Sequence, residues 1–183
     1  MQVLRYIFSV IWLIIIAPVL SHAHVDHGGM PDSVAEMEYK ILLEFEPDNY
    51  DVRAKLGDIL IRLKKYQEAH AEYITVLQQK PDYVPALIGL GQLLLKERKL
   101  LDAEKKFCEL QGKYPQHPLI NYYLGLTYKE LGKLTKAKAT LTNALATAQK
   151  SQDEEDAHTA SLIEEALTEI KNHTEASSKT PPK

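Results

Sequence analysis

The sequence predicts an all-α fold, a superhelix of stacked helix pairs, and three observations predict it. Residue types return every 34 positions: Pro47, Pro81 and Pro115; Gly57, Gly91 and Gly125; Ala35, Ala69, Ala103 and Ala137. In the same register, Leu56, Leu90 and Leu124 precede the glycines, and Tyr39, Tyr73, Phe107 and Leu141 follow the alanines by four. A period of this length marks a solenoid whose units bury their apolar faces on one another. The third observation is the segment after the last unit. It carries Ala160, Ile163, Leu167 and Ile170 on one helical stripe and Glu164, Glu165, Thr168 and Glu169 on the other.

Taken in order, residues 1–23 read as a secretory signal peptide: Arg5, a 15-residue apolar run from Tyr6 to Leu20, then Ser21-His22-Ala23. The run is shorter than the roughly 20 apolar residues a membrane-spanning helix needs. Export to a periplasm or secretion follows. A retained segment would instead tether the chain, and it is the one route by which a membrane enters. Residues 24–32 are a His-containing leader. Cleavage after Ala23 would make His24 the amino terminus, whose amine and imidazole, with His27, can chelate copper or nickel. The plainer reading is a polar linker.

Residues 33–150 form the array: a half repeat at 33–49 and full repeats at 50–83, 84–117 and 118–150. Helices are expected at 33–45, 51–63, 67–79, 85–97, 101–113, 119–131 and 135–149. A glycine inside a helix costs about 1 kcal/mol against alanine, which is tolerable where a neighbouring helix must come close. Ala69, Ala103 and Ala137 are small enough to permit that approach, and Pro47, Pro81 and Pro115 stop one helix and start the next pair. Asp48-Asn49 and Asp82 are placed to cap helices. A capping helix is expected within 151–172, started by Ser151 or Asp153 and closing the array, with 173–183 a disordered polar tail.

These residues resemble the tetratricopeptide repeat, whose unit follows W-x2-L-G-x2-Y, then A-x3-F, then P, on two antiparallel helices. The first unit reads Arg53-x2-Leu56-Gly57-x2-Leu60, Ala69-x3-Tyr73, Pro81. The second reads Leu87-x2-Leu90-Gly91-x2-Leu94, Ala103-x3-Phe107, Pro115, and the third Asn121-x2-Leu124-Gly125-x2-Tyr128, Ala137-x3-Leu141. The leading tryptophan is replaced by Arg53, Leu87 and Asn121, which is expected to weaken packing at those spots. The third unit reaches Gln149 where a proline was due.

The resemblance implies a solenoid of three and a half repeats plus a cap, with the first helix of each pair lining a concave face. It places Asp51, Lys55, Asp58 and Arg62 there from the first unit, Ile88, Gln92 and Lys96 from the second, and Tyr122, Tyr123, Leu126 and Lys129 from the third. Tyr122 and Tyr123 would anchor a peptide or helix of another protein. Some cytosolic relatives hold a terminal carboxylate with Lys, Asn and Arg. Here those places carry Ala54, Asp58, Gly89, Leu119 and Tyr123, so that ligand is set aside.

Composition limits the rest. The chain has 183 residues, 45% hydrophobic and 26% charged, which excludes a disordered chain and a polytopic membrane protein. A net charge of −3 leaves no basic surplus for a phosphate backbone, so nucleic acid is not an expected partner. No nucleophile elbow, phosphate loop, HExxH or CxxC is present, so no catalytic residue and no cofactor are expected. The one cysteine, Cys108, excludes an internal disulfide and is expected to be half-buried packing. The function expected is a non-catalytic interaction scaffold serving assembly of a cell-envelope complex. The alternatives are a copper- or nickel-handling accessory and a homo-oligomeric structural protein.

Overall fold

The computed structural model describes residues 31–178. Among them the chain forms α1 (Asp32–Phe45), α2 (Tyr50–Arg62), α3 (Tyr66–Gln79), α4 (Val84–Lys96), α5 (Leu100–Lys113), α6 (Pro118–Glu130), α7 (Leu134–Ala148) and α8 (Glu154–Ser178), with no strand. The signal segment, His24, His27 and the last five residues lie outside the described residues. Each helix packs on the next in the chain. In addition the backbones of α2 and α4, of α4 and α6 and of α6 and α8 come close, whereas those of α1, α3, α5 and α7 stay apart; Lys40 and Glu68, 3.6 Å apart, join α1 to α3 through side chains. Two layers result: a continuous inner row of first helices and an outer row of second helices, the all-α superhelix that the period predicts.

Two turn types alternate with the period. Within a pair, Lys64, Arg98 and Gly132 occupy one column and take positive φ, at 61°, 61° and 72°. The amide one residue later reaches back over the turn: Lys65 N to Leu60 O at 2.8 Å, Lys99 N to Leu94 O at 2.9 Å and Lys133 N to Tyr128 O at 2.8 Å. This is a Schellman close, which favours glycine at the left-handed position. Only the third unit supplies it.

Between pairs, the prolines redirect the chain. Asn49 caps α2, its Oδ1 accepting from Val52 N at 3.1 Å. Asp82 does not cap α4; Tyr83 stands at the cap and makes no side-chain cap bond, while Asp82 pairs with Lys113. A proline near the start of α4 and of α6 removes one amide that would otherwise need a partner.

The glycine columns bring helices together through aromatic rings. Tyr73 is fully buried. A Cβ on Gly57 would stand 2.5 Å from its Cε1, and one on Gly89 would stand 2.2 Å from its Cζ. The ring is therefore threaded between α2 and α4, and its hydroxyl donates to Asp58 at 2.6 Å. Phe107 fills the same place at Gly91 and Leu141 at Gly125.

The substituted tryptophan column does not leave a defect at its polar members. Arg53 donates to Pro47 O at 2.9 Å and pairs with Glu72 at 2.7 Å. Asn121, two periods later, donates to Pro115 O at 2.9 Å and accepts from Gln111 at 2.6 Å. Both brace the proline turn behind them, so the expected weakening is corrected at these two sites.

Charges repeat too. Lys65 bonds Glu36 at 2.8 Å, and Lys133 bonds Glu104 at 2.7 Å, two periods on. The middle rung is absent: the column partner of Lys99 is His70, and Lys99 pairs instead with Glu97.

The array ends on α8. Ile163, Ala166 and Ile170 are buried with Ala137, Leu141 and Ala144. Its start is braced by Asp153 Oδ1, which accepts from Glu155 N at 3.1 Å. The helix runs on to Ser178, through residues expected in the tail. Nothing in that stretch stops it: no Gly or Pro occurs before Pro181. Thr174 Oγ1 turns back on Ile170 O at 3.1 Å, and Lys171 faces Glu175 at 4.0 Å.

Candidate protein-binding groove

The inner row carries a slot of about 470 Å³ between α4 and α6. Gln92, Leu95 and Lys96 form one wall, Tyr122, Tyr123, Leu126, Lys129 and Glu130 the other, and Arg98 closes the end from the turn. Six of the eleven expected groove residues therefore meet in one place. They do so because successive first helices lie side by side, and residues at i, i+3 and i+4 share a helix face.

The aromatic wall is set by packing. Tyr123 stacks on buried Phe107, ring centroids 5.7 Å apart and planes 14° apart, and Tyr122 leans on Tyr123 at 5.1 Å and 60°. Burial raises the pKa of both phenols, which stay neutral donors at physiological pH. Both rings are half-buried, each with one side on the core and one on the slot.

The rim is charged. Arg98 pairs with Glu130, and Lys129 with Glu169 of α8. Lys96 has no ion pair among the described residues.

The other five expected residues do not line the slot. Ile88 is 3% exposed and buried in one cluster with Ala103, Phe107 and Ile120; its side chain is core, which corrects its assignment to the groove. Asp51 accepts from the Tyr83 hydroxyl, Arg62 pairs with Asp32 at 2.8 Å, and Lys55 is exposed. Asp58 is taken by the Tyr73 hydroxyl. Burial raises its pKa to about 6, with Glu155 adding to the rise and Tyr73, Arg62 and Lys55 opposing it.

Arg98 is the slot residue that the family pattern missed. It lies past the helix end, and its positive φ, read only from the turn column it shares with Gly132, sets where it points.

Cys108 is exposed rather than half-buried, its Sγ 3.6 Å from the Tyr128 hydroxyl. It sits one residue past buried Phe107, which turns it outward. Among the described residues no group of three His, Cys, Asp or Glu side chains is placed to hold a metal ion. No described helix is long and apolar enough to cross a membrane.

Two family models, each described as Tetratricopeptide repeat, match residues 55–118 and 120–151. A search of curated proteins finds no match. Among solved structures, the chain is similar to MamA from Desulfovibrio magneticus RS-1 (21% identity, TM-score 0.51, covering 78% of this chain and 86% of that one). It is also similar to the Sgt2 TPR domain from Aspergillus fumigatus (15%, 0.58, 73% and 85%). A third is PcrH from Pseudomonas aeruginosa (15%, 0.57, 68% and 92%). At these identities the likeness concerns the fold. With the 34-residue columns, the two-layer superhelix and the two matched segments in agreement, the chain belongs to the tetratricopeptide repeat family.

Proposed function

We propose that this chain is a non-catalytic scaffold that holds a segment of another protein in the slot between α4 and α6, in the assembly of a cell-envelope complex. One observation carries the reading: the half-buried Tyr122 and Tyr123 face an open cavity together with Leu95 and Leu126, inside a charged rim. Aromatic anchors in a desolvated pocket with a polar surround are the composition of a binding hot spot. One similar structure favours the same use: the fold is shared with the Yersinia enterocolitica type III secretion translocator chaperone SycD (16% identity, TM-score 0.55, covering 70% of this chain and 88% of that one). The envelope assignment rests on the apolar run Tyr6–Leu20 and the Ser21-His22-Ala23 exit.

The test is a photocrosslinking pull-down from the native envelope, with the crosslinker at Gln92 in the slot or at exposed Lys105 on the outer row. A partner captured from position 92, absent from 105 and lost with Tyr122→Ala supports the reading. Equal capture from both positions refutes it.

A further inference from the structure

The slot is electrically polar along the helices that build it, and this limits what it can hold. Tyr123 lies midway along α6. Six residues on, Lys129 stands with Lys96 and Arg98 at the finishing rim. Six residues back, His117 starts the helix beside Glu155 and Asp156 of α8. At 1.5 Å per residue each edge is about 9 Å from Tyr123.

Glu155 and Asp156 line one cavity with His117 and Pro118, at the start of the helix that carries Tyr122 and Tyr123; Glu155 also adds to the raised pKa of Asp58 and of Tyr83 on the inner row. Neither Glu155 nor Asp156 has an ion pair among the described residues, and neither does Lys96. Unpaired acid therefore lies by the starting end of the helix that carries the aromatic wall, and unpaired base at the finishing rim of the slot.

We propose that the slot takes an extended, bipolar segment of a partner protein: an aromatic or branched apolar side chain over Tyr122 and Tyr123, an acidic side chain toward Lys96 and a basic side chain toward Glu155. The two edges are about 18 Å apart, which an extended chain at 3.3 Å per residue spans in about five or six residues.

This inference rests on the groove reading, and the experiment separates the two. The probes are four fluorescein-labelled decapeptides in a Ser/Ala background with Phe at the centre. One has Asp and Lys five residues apart around the Phe, one has the Asp alone, one the Lys alone and one neither. Anisotropy with the full chain at low salt should rank the bipolar probe tightest, each charge contributing about two- to fivefold, as exposed ion pairs do.

Lys96→Glu should remove the Asp advantage, and Glu155→Gln the Lys advantage, each leaving the other intact. High salt should level all four probes. Thermal unfolding of both variants, unchanged from the parent, separates loss of recognition from loss of a charge that merely steadies a helix end.

Equal affinity of the four probes, all lost with Tyr122→Ala, would overturn the charge inference and keep the groove. Retention of all four in Tyr122→Ala would overturn both. Failure of every probe to bind overturns the bipolar segment as ligand and leaves the groove reading to the crosslinking test.

Discussion

Replacing Gly89 by alanine should destabilise the array, although alanine is the better helix former. The new Cβ would stand 2.2 Å from Tyr73 Cζ and 2.5 Å from its Cε1. The ring cannot retreat: it is fully buried, Gly57 closes its other side, and its hydroxyl is bound to Asp58. Overpacking of this kind costs about 1–3 kcal/mol. Displacing a hydrogen bond to a charged group costs about 1.5–3 kcal/mol. Against these stands a helix-propensity gain of about 1 kcal/mol.

The net loss is about 1.5–5 kcal/mol, a fall in Tm of roughly 3–20 °C for a chain of this size. Thermal unfolding followed by far-ultraviolet circular dichroism reads it. A repeat array need not unfold in one step, so the reference is Gly112→Ala. There a Cβ meets nothing within 4 Å, and Tm should hold or rise. A double-mutant cycle adds the second check: Tyr73→Leu should cost less in the Gly89→Ala background than in the parent. If Gly89→Ala melts where Gly112→Ala does, the threaded ring is not what demands the glycine.

Three further outcomes follow from single features. Lys64→Gly should raise Tm, since a non-glycine residue at φ 61° carries about 1–2 kcal/mol of strain; Gly132→Ala should lower it by a similar amount. The raised pKa of Asp58, about 6 against an ordinary 3.8, means that the folded state holds its proton more tightly than the unfolded one. The stability it contributes is therefore full below about pH 4 and is lost as pH rises through about 6. His117, whose pKa burial lowers, acts in the opposite sense. The test is thus the difference between parent and Asp58→Asn in urea titrations from pH 4 to 7.5, and a difference that does not change with pH would refute it. Ending the chain at Gln152 removes the cover over Leu141 and Ala144; sedimentation should show aggregation, and a soluble monomer would deny α8 its capping role.

The helices were legible because the period repeats the same instruction, and for the same reason one boundary error was copied. Each inner helix of the array begins one residue earlier than expected, at Tyr50, Val84 and Pro118. Gln92, Lys96, Tyr122, Tyr123, Leu126 and Lys129 were legible as one surface because the family resemblance assigns the first helix of each pair to the concave face.

Ile88 was not, because whether it lies open or buried is decided by the neighbouring helices that close over it. The roles of Arg53 and Asn121 were hidden as well. A departure from a consensus reveals what is missing, whereas the carbonyl that each side chain found became visible only in the folded turn. Asp58 looked like a groove acid until the reach of the Tyr73 hydroxyl between two glycines was known.

The missing rung at His70 has a mechanical consequence. The joints at Lys65 and Lys133 are each tied by a lysine resting on a carboxylate, and stretching them separates opposite charges. At Lys99 that column's tie is missing, and the seam between the first and second units is held by the Tyr73 ring between Gly57 and Gly89 and by the exposed Lys113–Asp82 pair. Contact packing gives way over fractions of an ångström, while an ion pair weakens gradually with distance. A superhelix under load should therefore flex first at this seam, beside the slot and against one of its two walls. The spring constant of the groove is set there, by one ring and two glycines.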